Sequence, residues 1–181
     1  MTFFGKGLLT GLAVTLKNFI ASFIRPPEQG GLFTVQYPEQ RIPPRENYRN
    51  FPFLVYDGMP ANLRCVACDI CAKECPPKCI YIVRDTDAEG KPLKRPKIFE
   101  IDFSLCMSCG ICEEVCPFDA IMMDHEYEIT SPERQEGLLK GIDELSRSND
   151  YFRKIKPHAA KTIDQKREKA AAPKAVPLQG D

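Results

Sequence analysis

The run C-x2-C-x2-C-x3-C-P occurs twice in this chain. Its first copy is Cys65, Cys68, Cys71 and Cys75 followed by Pro76, and its second is Cys106, Cys109, Cys112 and Cys116 followed by Pro117. Eight of the nine cysteines belong to this pattern, so any fold must order two sets of closely spaced sulfurs. So many cysteines in 181 residues mean either a disulfide framework in a secreted protein or metal ligation in a reducing compartment.

Spacing favours the second. Cysteines two residues apart, three times in succession and closed by Cys-Pro, suit thiolates gathered round one inorganic core, and this is the run of bacterial-type iron–sulfur proteins. The absence of a convincing signal-peptide cleavage site also speaks against the secreted framework. Paired C-x2-C runs serve zinc as well, but zinc takes two pairs across a longer gap. A [4Fe–4S] cube takes four thiolates, and in two-cluster ferredoxins the fourth cysteine of each run ligates the other cluster. The expected sets are therefore Cys65, Cys68, Cys71 and Cys116 for one cluster, and Cys106, Cys109, Cys112 and Cys75 for the other.

The surrounding residues repeat too. Phe53–Tyr56 precedes the first run and Ile80–Val83 follows it; Ile98–Ile101 precedes the second and Ile121–Met123 follows it. Each unit reads as strand, ligand loop, short helix, strand. Arg84 to Lys97, charged and carrying Gly90, Pro92 and Pro96, reads as an exposed connection. Val66, Ile70, Ile111 and Val115 can exclude water from the sulfurs, and Gly110 permits close backbone approach.

Residues 1–25 read as an amphipathic helix lying in a membrane interface. Leu8, Leu9, Leu12, Leu16, Phe19, Ile20 and Phe23 share one face, opposite Lys6, Thr10, Lys17, Asn18 and Ser22. Over residues 3–24 its length is about 33 Å, enough to span, but only ten residues separate Lys6 from Lys17, and a span needs roughly twenty mostly apolar residues. The alternative is a helix packed on a partner protein. Residues 26–52 carry Pro26, Pro27, Pro38, Pro43, Pro44 and Pro52, which suggests an extended arm along a partner surface with Phe33, Tyr37 and Tyr48 as anchors.

After the core at 53–127, Ser131-Pro132-Glu133 reads as the start of a short helix with Leu138, Leu139, Ile142 and Leu145 on one side, within a helical segment at 128–150. Residues 151–181, rich in Lys, Ala and Pro, show no periodicity that would bury a core, so an extended or disordered tail is expected. The expected fold is thus α+β: a duplicated ferredoxin-like 2[4Fe–4S] core with an N-terminal amphipathic helix and long irregular N- and C-terminal extensions. Cys79 falls where the second repeat has Ala120, which reads as core packing. His125 and His158 are too few and too separated for a histidine-ligand site, and Asp102 and Asp119 read as solvated or capping groups. Lys+Arg and Asp+Glu both number 25, so nothing points to nucleic acid.

With CVACDICAKECP, CMSCGICEEVCPFDAI and the later DHEYEITSPERQEGLLK on the page, the chain resembles the two-[4Fe–4S] ferredoxin-like subunit of NADH:quinone oxidoreductase, respiratory complex I, the subunit of about 23 kDa in mitochondria. The resemblance implies a relay. Electrons would arrive from an upstream iron–sulfur subunit and leave toward the terminal-cluster subunit beside the quinone site. The leader would dock where the quinone-site and membrane-arm subunits meet the membrane surface. It implies a subunit of a proton-translocating oxidoreductase with no substrate-level active site on this chain. The lack of an Arg-rich, acid-poor transit segment favours the cytoplasmic side of a bacterial inner membrane. Two alternatives share the core: a soluble two-cluster ferredoxin, and a subunit of a ferredoxin-fed or hydrogenase membrane complex.

Overall fold

The computed structural model describes residues 5–26, 34–133 and 137–171. Its contacts fall into two units, Met1–Pro43 and Pro44–Asp181, and each is taken by itself.

The first unit carries α1 (Lys6–Ile24), 19 residues or about 28 Å long. None of its residues is buried. By length and composition the helix is apolar enough to cross a membrane. The chain beyond it, from Thr34, runs without helix or strand, as its prolines require. Tyr37 is exposed, and Phe33 lies outside the described residues.

The second unit is built on two three-stranded sheets. β1 (Pro52–Tyr56) pairs antiparallel with β4 (Ile121–Met123), Phe53 opposite Met122, and parallel with β6 (Ser146–Ser148). β2 (Ile80–Thr86) pairs antiparallel with β3 (Pro92–Asp102), which also pairs with β5 (Leu139–Lys140). Between the strands sit α2 (Ile70–Glu74) and α3 (Ile111–Glu114), each opening at the third cysteine of its run less one residue.

β1 is buried on both faces, and its alternation divides the core. Leu54 points to a cluster with Cys71, Cys75, Cys79, Ile80, Phe99, Ile101 and Ile121. Phe53 and Val55 point the other way, to Met122, Phe152, Ala160 and Ile163. A sheet apolar on both sides needs a second cover, and here the C-terminal segment supplies it.

That is the main correction to the sequence reading. The segment expected as an extended or disordered tail is helical over α5 (Asn149–Ile155) and α6 (Pro157–Ala171), after the short α4 (Ile142–Leu145). Its apolar positions are few, but Phe152, Ile155, Ala159, Ala160 and Ile163 recur at helical spacing and fall on one face. The termini are also capped. Ser148 Oγ accepts from the Tyr151 N–H at 3.1 Å, Pro157 takes the first position of α6, and Glu46 accepts from the N–H groups of His158 at 2.6 Å and Ala159 at 3.1 Å. Residues 172–181 lie outside the described residues.

Two smaller corrections follow from pairing. The charged connection 84–97 is largely β-hairpin: β2 and β3 continue past the core, with a register shift beside Arg84 and Gly90 in the turn. The helix expected through Leu138 and Leu139 is instead strand at β5, whose backbone is satisfied by Ile101 and Asp102, and only Ile142–Leu145 is helical. Residues 131–133, where that helix was expected to begin, are not helical, and residues 134–136 lie outside the described residues. The later part of the arm lies on the chain's own core, not on a separate surface. Arg49 Nη1 donates to the Cys109 carbonyl at 2.8 Å, and the Asn50 amide donates to the Glu126 carbonyl.

Candidate metal centres

The two cysteine loops are held by the same backbone device. Residues with positive φ recur at equal offsets: Ala67 and Ser108 (53° and 52°), Asp69 and Gly110 (63° and 79°), Lys78 and Asp119 (53° and 48°). Each turn reverses the chain so that successive sulfurs face inward instead of alternating outward. An arginine from outside each loop then fixes one of its carbonyls. Arg84 Nη2 donates to the Ala67 oxygen at 2.6 Å, as Arg49 does to Cys109. Neither arginine was legible from spacing, since they lie 17 and 60 residues from the carbonyls they bind.

Cys65, Cys68, Cys71 and Cys116 line one hollow, walled by Leu54, Ile82, Phe99, Phe118 and Ile121. Cys75, Cys106, Cys109 and Cys112 line a second, walled by Pro52, Pro76, Ile80, Ile111 and Met123. The fourth cysteine of each run therefore stands in the hollow of the other run. Among the described residues no three Cys, His, Asp or Glu side chains converge on a single ion. Ringing a volume suits a polynuclear core and does not suit one zinc.

The donor chemistry fits such a core. The Ala120 N–H donates to Cys116 Sγ at 3.4 Å, and the backbone at Ala67, Ala72, Ser108 and Glu113 favours the thiolate form of Cys65, Cys71, Cys106 and Cys112. These are the donors that stabilise thiolate ligands. Burial pushes the Cys65 thiol up to about 11, and Cys71 and Cys112 up to about 12, with neighbouring sulfurs adding to the effect. Metal binding must release those protons. Cys71 of the first hollow is among the groups that raise Cys112 of the second, so the hollows are adjacent.

Cys79 is buried, as a packing residue should be, but it also lines the second hollow. Its Sγ lies 3.5 Å from Cys75 Sγ, and it shares that hollow with Cys106. The neighbouring Cys79 thiol draws Cys106 below the usual thiol range, and Cys79 itself is pushed up. Asp102 caps the turn before the second run, accepting from the Ser104 N–H at 2.9 Å. His158 is exposed and pairs with Glu46 at 2.6 Å, while the His125 ring meets the Glu46 carbonyl at 3.2 Å.

Comparison with known proteins agrees with the cysteine pattern. The family model described as a 4Fe-4S dicluster domain matches residues 64–120. NADH-quinone oxidoreductase subunit I 2 of Geobacter metallireducens is 36% identical over 129 residues, covering 71% of this chain and 88% of that protein. The protein of the same name from Streptomyces coelicolor is 34% identical over 190 residues, covering 95% and 83%. That from Symbiobacterium thermophilum is 39% identical over 145 residues, covering 79% of this chain and 55% of the relative.

Proposed function

Because this chain belongs to the subunit I family of NADH-quinone oxidoreductases, we propose that it is an electron-transfer subunit relaying single electrons through two [4Fe–4S] clusters within that membrane-bound complex. Cys65, Cys68, Cys71 and Cys116 would hold one cluster, and Cys106, Cys109, Cys112 and Cys75 the other. The observation that carries the reading is the exchange of fourth cysteines between two adjacent hollows.

When bound, a [4Fe–4S] group takes up and returns one electron. The chain's own residues do the rest. Leu54, Phe99 and Ile121 are buried against the first hollow and keep water from it. The backbone N–H groups aimed at the sulfurs stabilise the added negative charge. The exchange binds the two loops to each other, with Cys116 in the first hollow and Cys75 in the second, so the path between centres stays short. Nothing in this arrangement needs a substrate site on this chain. The partners are an upstream iron–sulfur subunit, the terminal-cluster subunit and the quinone-site and membrane-arm subunits, with α1 against the membrane surface on the cytoplasmic side of a bacterial inner membrane, the complex as a whole translocating protons.

The test is a Cys75→Ala exchange read by electron paramagnetic resonance of the reduced complex. The signal of the cluster framed by Cys106, Cys109 and Cys112 should be lost or altered; loss of only the other signal would refute the assignment. Iron and sulfide should each approach about eight per chain. Copurification of an NADH-binding flavoprotein separates this reading from a ferredoxin-fed or hydrogenase complex.

A further inference from the structure

The second hollow holds five cysteines where a cube takes four thiolates. The fifth is Cys79, and its place is specific. It is 7% exposed, its Sγ stands 3.5 Å from Cys75 Sγ, and it lines the hollow together with Cys106. Cys75 and Cys106 are two of the four ligands proposed for that hollow, one from each run. The matching position beside the first hollow is Ala120, 2% exposed, whose side chain has no proton to give and whose backbone N–H alone reaches Cys116. The two hollows, alike in backbone, thus differ by one thiol.

A fifth sulfur with no iron of its own, 3.5 Å from the sulfur of Cys75, is the donor of that contact, since a thiolate bound to iron has no proton to give. Each S–H bond to a ligand sulfur favours the more negative state of the cluster, because that state places more charge on the sulfur. We propose that Cys79 is a positioning residue, donating its S–H to the ligand sulfur of Cys75 and thereby raising the reduction potential of the cluster in the second hollow alone. The effect makes the two neighbouring centres unequal, which gives the relay a direction. This rests on the ligand reading given under the proposed function.

The experiment compares Cys79→Ala and Cys79→Ser in the purified complex by redox titration followed by electron paramagnetic resonance, with iron counted in each. Cys79→Ala should keep the iron content of the unmodified complex and lower the midpoint of one cluster, leaving the other unmoved. A tenfold change in that reduction equilibrium would read as about 59 mV for one electron. Cys79→Ser keeps a donor, so it should return the midpoint to the wild-type value or above it. An unchanged midpoint in Cys79→Ala overturns the inference while leaving the ligand reading intact. So does a fall that serine does not restore, since that is an effect of packing. Loss of about four irons from Cys79→Ala also overturns it, by making Cys79 a ligand. Loss of only the first hollow's cluster signal in Cys75→Ala would instead overturn the ligand reading, and this inference with it.

Discussion

Lys156 Nζ lies 2.9 Å from Glu113 Oε1, tying the junction of α5 and α6 to the residue after the third cysteine of the second run. The lysine side chain is 6% exposed and Glu113 is 23% exposed, so little water is available to either charge. Glu113 Oε2 also accepts from the Met123 N–H at 3.2 Å, which joins the pair to β4. Removing one partner of such a pair leaves the other charged and buried, which costs about 3 kcal/mol. Lys156→Met should therefore lower stability by about that amount in denaturant titrations followed by circular dichroism. Adding Glu113→Gln should recover most of the loss, because no uncompensated charge remains.

Asp69 and Gly110 hold the same left-handed turn in the two loops, at φ 63° and 79°. Beside Gly110, a Cβ would also stand 3.0 Å from Arg49 Cδ. Gly110→Ala should then cost about 1–2 kcal/mol from backbone strain alone. It should also displace the Arg49 guanidinium from the Cys109 carbonyl and from Glu114, which it meets at 2.6 Å. Asp69→Gly should be tolerated within about 0.5 kcal/mol, since glycine meets no penalty in that conformation. Denaturation midpoints of the two variants check the contrast.

The cysteine loops and the four core strands were legible because ligand spacing and short apolar runs are local signals. What was not legible depends on distant partners. The strand at Leu139–Lys140 exists because Ile101 and Asp102 offer it an edge, and the extension of β2 and β3 through Pro92 and Pro96 rests on a shifted ladder, not on propensity. The C-terminal helices carried a readable signal in Phe152, Ile155, Ala159, Ala160 and Ile163, but Lys and Ala around them diluted it below what a tail and a helix would distinguish. Their need became visible only once β1 was seen to be apolar on both faces. The grip of Arg49 and Arg84 on the loops has no counterpart in spacing at all. Cys79 was assigned correctly to the core, but its contact with Cys75 needed coordinates.

Asp57 makes the fold sensitive to acid. The Arg64 guanidinium, with Nη2 at 2.7 Å, holds the Asp57 carboxyl below the usual carboxylate range, opposing the upward push of burial, and Arg167 and Arg153 add to it. A lowered folded-state pKa means the folded chain prefers the ionised form. The stability it contributes is full above the ordinary aspartate value of about 3.9 and is lost as pH falls through the folded value. Asp57→Asn should destabilise the chain near neutral pH by roughly 2–3 kcal/mol, below the range for a fully buried pair because Asp57 is partly exposed. Arg64, 1% exposed in its side chain, would be left with Asp164 at 4.0 Å. The gap between variant and wild type should hold from about pH 7 to 5 and close below about pH 4, as denaturant midpoints across that window would show.

The apolar face of α1 is the remaining feature whose role depends on a surface. Leu12 and Leu16 are each 58% exposed and Phe19 is 61% exposed, with Lys17 on the opposite side. A helix in a membrane interface would bury that face and keep Lys17 among headgroups. For a peptide of residues 5–26, Leu12→Asp with Phe19→Asp should remove about 3 kcal/mol of apolar burial, a loss of about 100-fold in vesicle affinity by flotation. Lys17→Glu should weaken binding to anionic vesicles by several-fold, at about 1 kcal/mol per basic residue, and leave neutral vesicles unaffected. A spanning helix behaves differently, since Lys17→Glu would then alter insertion into both kinds of vesicle alike. Equal effects on the two lipids would replace the interfacial orientation with a span, and no effect of Leu12→Asp with Phe19→Asp would leave a partner protein as the surface that α1 covers.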